Sequence, residues 1–329
     1  MRPGALWLAI GLAANGLVPQ SAAWVTLPQE ELRAGYDTLW AVSDLHGRRE
    51  ALERLLLAAR LAVPAERGAS VRWNPEKRRQ LFIVVGDLID GGEDSVGTVL
   101  LLRDLQREAE TAGSRVIVLL GNHEVAFLAD PRACATPELM RSASRRAARL
   151  ALQAAPTAKQ LSRSAFGDYL RSLPIAAFVG TWLFVHGGYL DGGTGRETLR
   201  AYLVRLAGSL EHRDGAGYRL LRVDGAITGD HRWWAKPGLV SGMKSRLDLL
   251  GLDGLVIGHD PDALGAAATI AMSRNGWLMK LDTGLKRGSR GMLLRCQLAE
   301  VFAPAASPSA MSRCEIVGED GSRLPMVVR

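Results

Sequence analysis

Short continuous apolar runs recur along the chain: LWAV at 39–42, LFIVV at 81–85, VIVLL at 116–120, WLFV at 182–185 and LVI at 255–257. Further runs lie at 277–281 and 292–298. Runs of this length without polar alternation predict strands buried on both faces, because a strand with one wet face alternates. Between the first two runs, Leu52, Leu55, Leu56 and Ala59 recur at helical spacing and predict a helix over 48–60. A different texture fills the stretch from about 125 to about 180, which is rich in Ala and Arg and predicts a helical insertion. The alternation of buried strands with helical segments argues an α/β fold.

The N-terminus reads as an export segment. Arg2 precedes an apolar run over 5–18, and Ser21, Ala22 and Ala23 supply the small residues of a cleavage site. The expectation is a signal peptide over 1–23, then one domain over 24–329 in the periplasm or outside the cell. No stable membrane insertion is expected after cleavage, since the run is short for a span of about 20 residues. Three cysteines are too few for a disulfide scaffold, but Cys296 and Cys314 can pair in an oxidising compartment and leave Cys134 over.

Composition removes several classes. The 329 residues are 47% hydrophobic and 23% charged, which excludes a disordered or fibrous chain. The formal net charge of +7 favours anionic partners such as phosphate esters without choosing among them. Part of that charge lies in the helical stretch, where eight basic residues between 132 and 171 face only Glu138 and Asp168. They read as a solvated face or, alternatively, as a basic cap that draws in anions. No standard nucleic-acid-binding motif is present, so no nucleic-acid partner is expected.

The chemistry sits where the apolar runs end. Five clusters follow them: Ser43-Asp44-Leu45-His46, Gly86-Asp87-Leu88-Ile89-Asp90, Gly121-Asn122-His123-Glu124, His186-Gly187-Gly188 and Gly258-His259-Asp260. Open α/β sheets place their sites at the carboxyl ends of strands. The clusters offer carboxylate, imidazole and amide oxygen with no thiolate, a donor set suited to Mn²⁺, Fe or Zn²⁺. A single such cluster is an ordinary turn composition; five in succession point to a dinuclear metal site.

The ordered set DxH, GDxxD, GNHE, HGG and GH resembles the calcineurin-like metallophosphoesterase superfamily, in its phosphoprotein-phosphatase branch. The resemblance runs from Asp44 to about Asp282, where Leu281-Asp282-Thr283-Gly284 is similar to a further stretch of that branch. The export segment, the FVHGG run at 184–188 and the helical insertion are similar to the bacterial Shewanella-like phosphatases. The resemblance implies a central β-sandwich flanked by helices and a phosphatase with two divalent metal ions. It implies that Asp44 and His46 bind one ion, Asp87 bridges, and Asn122, His186 and His259 bind the other. His123 would protonate the leaving group, oriented by Asp90. The expected substrate is a phosphorylated protein or a small phosphomonoester, attacked by metal-activated water. A dinucleoside polyphosphate or nucleotide hydrolase is the alternative enzyme, and a metal- or phosphate-binding protein the non-enzymatic one.

Two positions depart from the pattern. The family usually carries Arg directly after the second Asp of GDxxD, and this chain has Gly91. The second phosphate-binding cation of the family is expected at Arg232 or Lys236, within the run RWWAK. The missing Arg predicts open space beside the leaving group, with Trp233 or Trp234 placed to stack on an aryl ester. His212 and His231 are isolated and read as surface residues.

Overall fold

In chain order the strands are β1 (Trp24–Leu27), β2 (Thr38–Val42), β3 (Ala62–Pro64), β4 (Val71–Trp73), β5 (Gln80–Val85), β6 (Arg115–Leu119), β7 (Ala176–Val179) and β8 (Trp182–Val185). They continue as β9 (Gly254–Ile257), β10 (Ala271–Met272), β11 (Leu278–Lys280), β12 (Met292–Gln297), β13 (Glu315–Gly318), β14 (Arg323–Pro325) and β15 (Val327–Val328). The structure, a computed structural model, describes residues 21–329 apart from 66–69, 212, 224–226, 230–231 and 303–307. Residues 1–20 of the expected export segment, with His212 and His231, lie outside the described residues.

One sheet has the order β1-β7-β8-β9-β11-β10-β15 and the other β14-β13-β12-β2-β5-β6. Strands β2, β5 and β6 are mutually parallel, as are β8, β9 and β11. The two sheets face each other across one apolar layer. Leu39, Ala41, Leu81, Ile83, Val85, Ile117 and Leu119 enter it from one side, and Ala177, Val179, Phe184, Val256 and Met279 from the other. The intervening residues Trp40, Val42, Phe82, Val84, Val116 and Val118 point the opposite way, into a second core shared with the helices Arg49–Ala58 and Ser95–Thr111. Each strand is therefore covered twice, which is why the sequence shows unbroken apolar runs rather than alternation. The central β-sandwich flanked by helices is the α/β architecture expected.

Cys296 on β12 and Cys314 just before β13 are disulfide-bonded within the inter-sheet layer. Cys134 is a free, half-buried thiol.

The Ala- and Arg-rich stretch folds as short helices over Asn122–Ala129, Pro131–Cys134, Pro137–Arg145, Ala158–Ser162 and Ala165–Ser172. Thr136, Thr157 and Ser164 start three of them, each side-chain oxygen accepting from a backbone N–H of the first turn. The helical segment stops at 172 and not near 180. Residues 175–179 form one more buried apolar run, and 176–179 pair as β7 with β1 and β8. Five of the eight basic side chains are engaged nearby: Arg141 with Glu138, Arg146 with Asp94, Arg149 with Asp104, Arg171 with Asp168, and Arg145 with the Glu93 carbonyl. Arg146 and Arg149, with Ser142 donating to Asp94, fasten the insertion to the Ser95–Thr111 helix. That use of the cations leaves little of a basic cap.

Candidate metal centre and active site

The carboxyl ends of β2, β5, β6, β8 and β9 converge, so five motifs distant in sequence form one cluster. Asp44, His46, Asp87, Asp90 and His259 all hold left-handed backbone conformations, with φ of 55°, 44°, 52°, 69° and 72°. Non-glycine residues rarely adopt that region, and such strain concentrates at functional sites. Neighbouring glycines allow the chains to close in. A Cβ on Gly258 would stand 2.4 Å from Asp44 Oδ2, and one on Gly121 would stand 2.2 Å from Asp87 Oδ1.

Asp87 lies at the centre. Its Oδ2 is 3.2 Å from His186 Nε2, 3.7 Å from His46 Nε2 and 3.8 Å from His123 Nε2. Two groups of potential ligands share it: His46, Asp87 and His123 on one side, and Asp87, His186 and His259 on the other. Asp44 adjoins both, at 3.8 Å from His46 Nε2 and 4.0 Å from His186 Nε2, and its carboxylate accepts from the His259 backbone N–H. Asn122 Oδ1 lies 3.1 Å from His186 Nε2 and 2.9 Å from His259 Nδ1.

The imidazoles are oriented from behind. His186 Nδ1 is 2.9 Å from the Val85 carbonyl and His46 Nδ1 is 3.2 Å from the Ile89 carbonyl. A carbonyl only accepts, so each Nδ1 carries the proton and each Nε2 faces the cluster; metal-binding histidines are commonly held this way.

The electrostatics call for positive charge. Burial raises Asp44 well above the usual carboxylate range, and Asp282 and Asp87 add to the rise. Burial likewise lifts Asp282 to about 6 and Glu124 to about 7. Burial alone would lower His186, but Asp87 and Asp44 beside it lift it to about 10. For His46 burial wins and holds it near 4, a neutral ring with a lone pair to offer. The fully buried His186 thus acts as the proton-bearing counter-charge among converging acceptors. A divalent cation relieves the same crowding, so the donor set and its geometry fit metal ions.

His123 sits at the edge of this floor. Its Nδ1 is 2.8 Å from Asp90 Oδ2, and the opposite oxygen of Asp90 accepts from the Thr136 hydroxyl at 2.6 Å. Burial pulls His123 down, but the bond to Asp90 and the Asp87 charge raise it above the ordinary histidine range. Its Nε2 accepts from the Lys286 ammonium at 3.1 Å. Nε2 thus stands between Asp87 Oδ2 and the Lys286 ammonium.

The sequence reading assigns no role to three contributors. Glu124, fully buried, accepts from the backbone N–H groups of Gly121, Asp87, Leu88 and Ile89, tying the loop after β5 to the one after β6. Thr136 is legible as a helix start ahead of Pro137 but not as a partner of Asp90. Lys286 carries no motif at all.

The RWWAK run divides. Trp233 is fully buried, stacked on Trp277 with its indole donating to the Gly187 carbonyl, so it cannot stack on a substrate. Trp234 is half-buried, donates to Asp260 Oδ2 and meets the His259 ring edge-on. Arg232 is exposed with Nε 3.7 Å from Asp260 Oδ2, and Lys236 is exposed at the start of the Pro237–Leu250 helix. Only Arg232 and Trp234 are thereby brought beside the cluster. The open space expected at Gly91 is absent: a Cβ there would stand 3.0 Å from Lys286 Cγ.

The chain is similar to several known proteins. The calcineurin-like phosphoesterase profile matches residues 38–263. Shewanella-like protein phosphatase 2 of Arabidopsis thaliana is 33% identical over 89 residues, which are 27% of this chain and 21% of that protein. The chain thus aligns with about a fifth of that relative's length. A cold-active protein-tyrosine phosphatase of a psychrophilic Shewanella species superposes with a TM-score of 0.64 at 18% identity, over 92% of this chain and 82% of that one. A protein serine/threonine phosphatase of Saccharomyces cerevisiae superposes at 0.50 and 16% identity, over 88% and 81%. At these identities the superpositions speak for the fold alone.

Proposed function

The chain belongs to the calcineurin-like phosphoesterase family, and from that premise we propose a metal-dependent phosphatase that hydrolyses phosphomonoesters, protein phosphotyrosine or other phosphoprotein side chains among them. The observation that carries the reading is Asp87, one carboxylate shared by two groups of ligands. Asp44, His46 and Asp87 hold one divalent ion, and Asp87, Asn122, His186 and His259 hold the second. Oxygen and nitrogen donors without thiolate suit Mn, Fe or Zn. When bound, such ions polarise a phosphoryl group and lower the pKa of water toward 7.

The chain's own residues supply the rest. His123 carries a proton from solvent through Nε2 to the leaving oxygen, Asp90 keeps the ring in register through Nδ1, and Thr136 fixes Asp90. Placement outside the cytoplasm belongs to the same proposal. The Cys296–Cys314 bond is at home in an oxidising compartment, and cleavage after Ala23 leaves β1 whole.

The test is reconstitution with Mn²⁺, Fe²⁺ or Zn²⁺, followed by elemental analysis and a panel of phosphomonoesters, diesters and dinucleoside polyphosphates. About two ions per chain and preferential monoester turnover are expected. A protein that retains no metal overturns the proposal, and a preference for dinucleoside polyphosphates replaces it with nucleotide hydrolysis.

A further inference from the structure

The position after Asp90 is unfavourable to any side chain. Gly91 has φ +102°, a backbone conformation that L residues rarely adopt, and the space where its Cβ would lie is filled by the methylenes of Lys286. A guanidinium presented from position 91 would strain the backbone and have to displace the Lys286 side chain. The cation that stands there instead arrives from the opposite sheet.

Lys286 occupies a tight turn, Leu285–Arg287, that follows β11 between Gly284 and Gly288, both left-handed at φ 79° and 87°. The turn is anchored at its base, where the buried Asp282 carboxylate accepts from the Gly284 N–H at 2.8 Å. From there the side chain passes over Gly91 to bring Nζ to 3.1 Å from His123 Nε2. Neighbouring cations are otherwise engaged. Arg287 pairs with Asp262 at 2.6 Å, and the buried Lys280 ammonium donates to the carbonyls of Pro261 and Ala266. Among the described residues, no carboxylate lies within ion-pair distance of Lys286.

Taking the phosphatase reading as given, we propose that Lys286 grips the substrate phosphoryl group in place of the arginine that position 91 lacks. Its Nζ donates to a non-bridging phosphoryl oxygen on the side where His123 meets the leaving group. An ammonium is a compact point charge on a flexible stem, whereas a guanidinium forks onto two oxygens. The four-carbon stem lets Nζ move from His123 to the phosphoryl oxygen when a dianion enters, and that movement frees Nε2 to take a proton from solvent and pass it to the leaving oxygen. The structure thus supplies a phosphate-binding cation with one bond of reach and little orientational demand.

The experiment compares wild type, Lys286→Met and Lys286→Arg, all metal-loaded, by calorimetric titration of inorganic phosphate and by kcat/KM on nitrophenyl phosphate and an alkyl phosphate. Lys286→Met preserves the stem that packs over Gly91, so metal content and Tm should match wild type. The expected result is phosphate binding weakened about tenfold or more, with kcat/KM lowered about 10- to 100-fold on both esters. Lys286→Arg should bind phosphate within about threefold of wild type, since the charge is retained. Unchanged phosphate binding by Lys286→Met overturns the assignment, and so does a loss confined to the alkyl ester, which would place Lys286 behind His123 only. Loss of phosphate binding by Lys286→Arg to the extent seen for Met overturns it too. Absence of all phosphatase activity in metal-loaded wild type is a different failure, that of the phosphatase reading itself.

Discussion

Asp44, His46, Asp87 and His186 are 1%, 5%, 2% and 0% exposed, and both His46 and His186 are held by a backbone carbonyl behind the ring. Outside that floor, Arg232, Lys236 and Lys286 are exposed. One touches Asp260 across 3.7 Å, one stands at a helix start, and one reaches His123. The floor is a set of short side chains locked by strand ends. The rim is a set of long side chains on turns. In the floor a displaced atom is felt by every neighbour, since unpaired buried charge costs several kcal/mol per ion. At the rim, solvent and flexible stems absorb the change, and an exposed pair is worth about 0–1 kcal/mol. Effects of substitution should therefore fall steeply from floor to mouth, and each departure from that gradient identifies a rim residue with a specific task.

The largest effect is expected at Asp87, which both ligand groups use. Asp87→Asn should abolish turnover and lower bound metal, read by elemental analysis alongside the phosphatase assay. Retained activity would break the comparison at its base. Chelation of the wild type should do the same reversibly, with activity restored by added Mn²⁺, Fe²⁺ or Zn²⁺.

His123→Ala comes next. It should keep the metal content and lose roughly 10²-fold or more in kcat on alkyl phosphates, with a smaller loss on nitrophenyl phosphate, whose leaving group needs no proton. Equal losses on both would place His123 among the ligands and not at the leaving group.

Thr136→Val tests how far the insertion contributes. Removing the hydroxyl leaves one oxygen of the buried Asp90 without its 2.6 Å donor. A kcat lower by about fivefold is expected, with metal content unchanged, equivalent to about 1 kcal/mol. Wild-type kinetics would make the helical insertion a bystander to catalysis.

The smallest effect belongs to Lys236. Lys236→Ala should change kcat/KM by less than about threefold, as expected of an exposed side chain at a helix start. Arg232→Ala should fall between Thr136→Val and Lys236→Ala, because Arg232 at least adjoins Asp260. A large loss at Lys236 would show that the Pro237–Leu250 helix closes over the substrate.

The sequence alone determined which residues form the floor, because two local signals coincide there. A strand buried on both faces must be an unbroken apolar run, and the polar residues directly after it have nowhere to lie but the sheet edge. Asp44, Asp87, Asn122, His186 and His259 were thus legible one by one, and the order of their motifs resembled one family. What no window of sequence contained was the left-handed backbone of Asp44, His46, Asp87, Asp90 and His259, or the carboxylate of Glu124 gathering four N–H groups from two loops. The rim was less legible still. Gly91 read as a vacancy, and only the folded chain shows it covered by Lys286, whose ammonium meets His123 from 163 residues away. Strand ends are set by local hydrophobic pattern, whereas the reach of a long side chain across a cleft depends on how two sheets pack, and packing is a property of the whole chain.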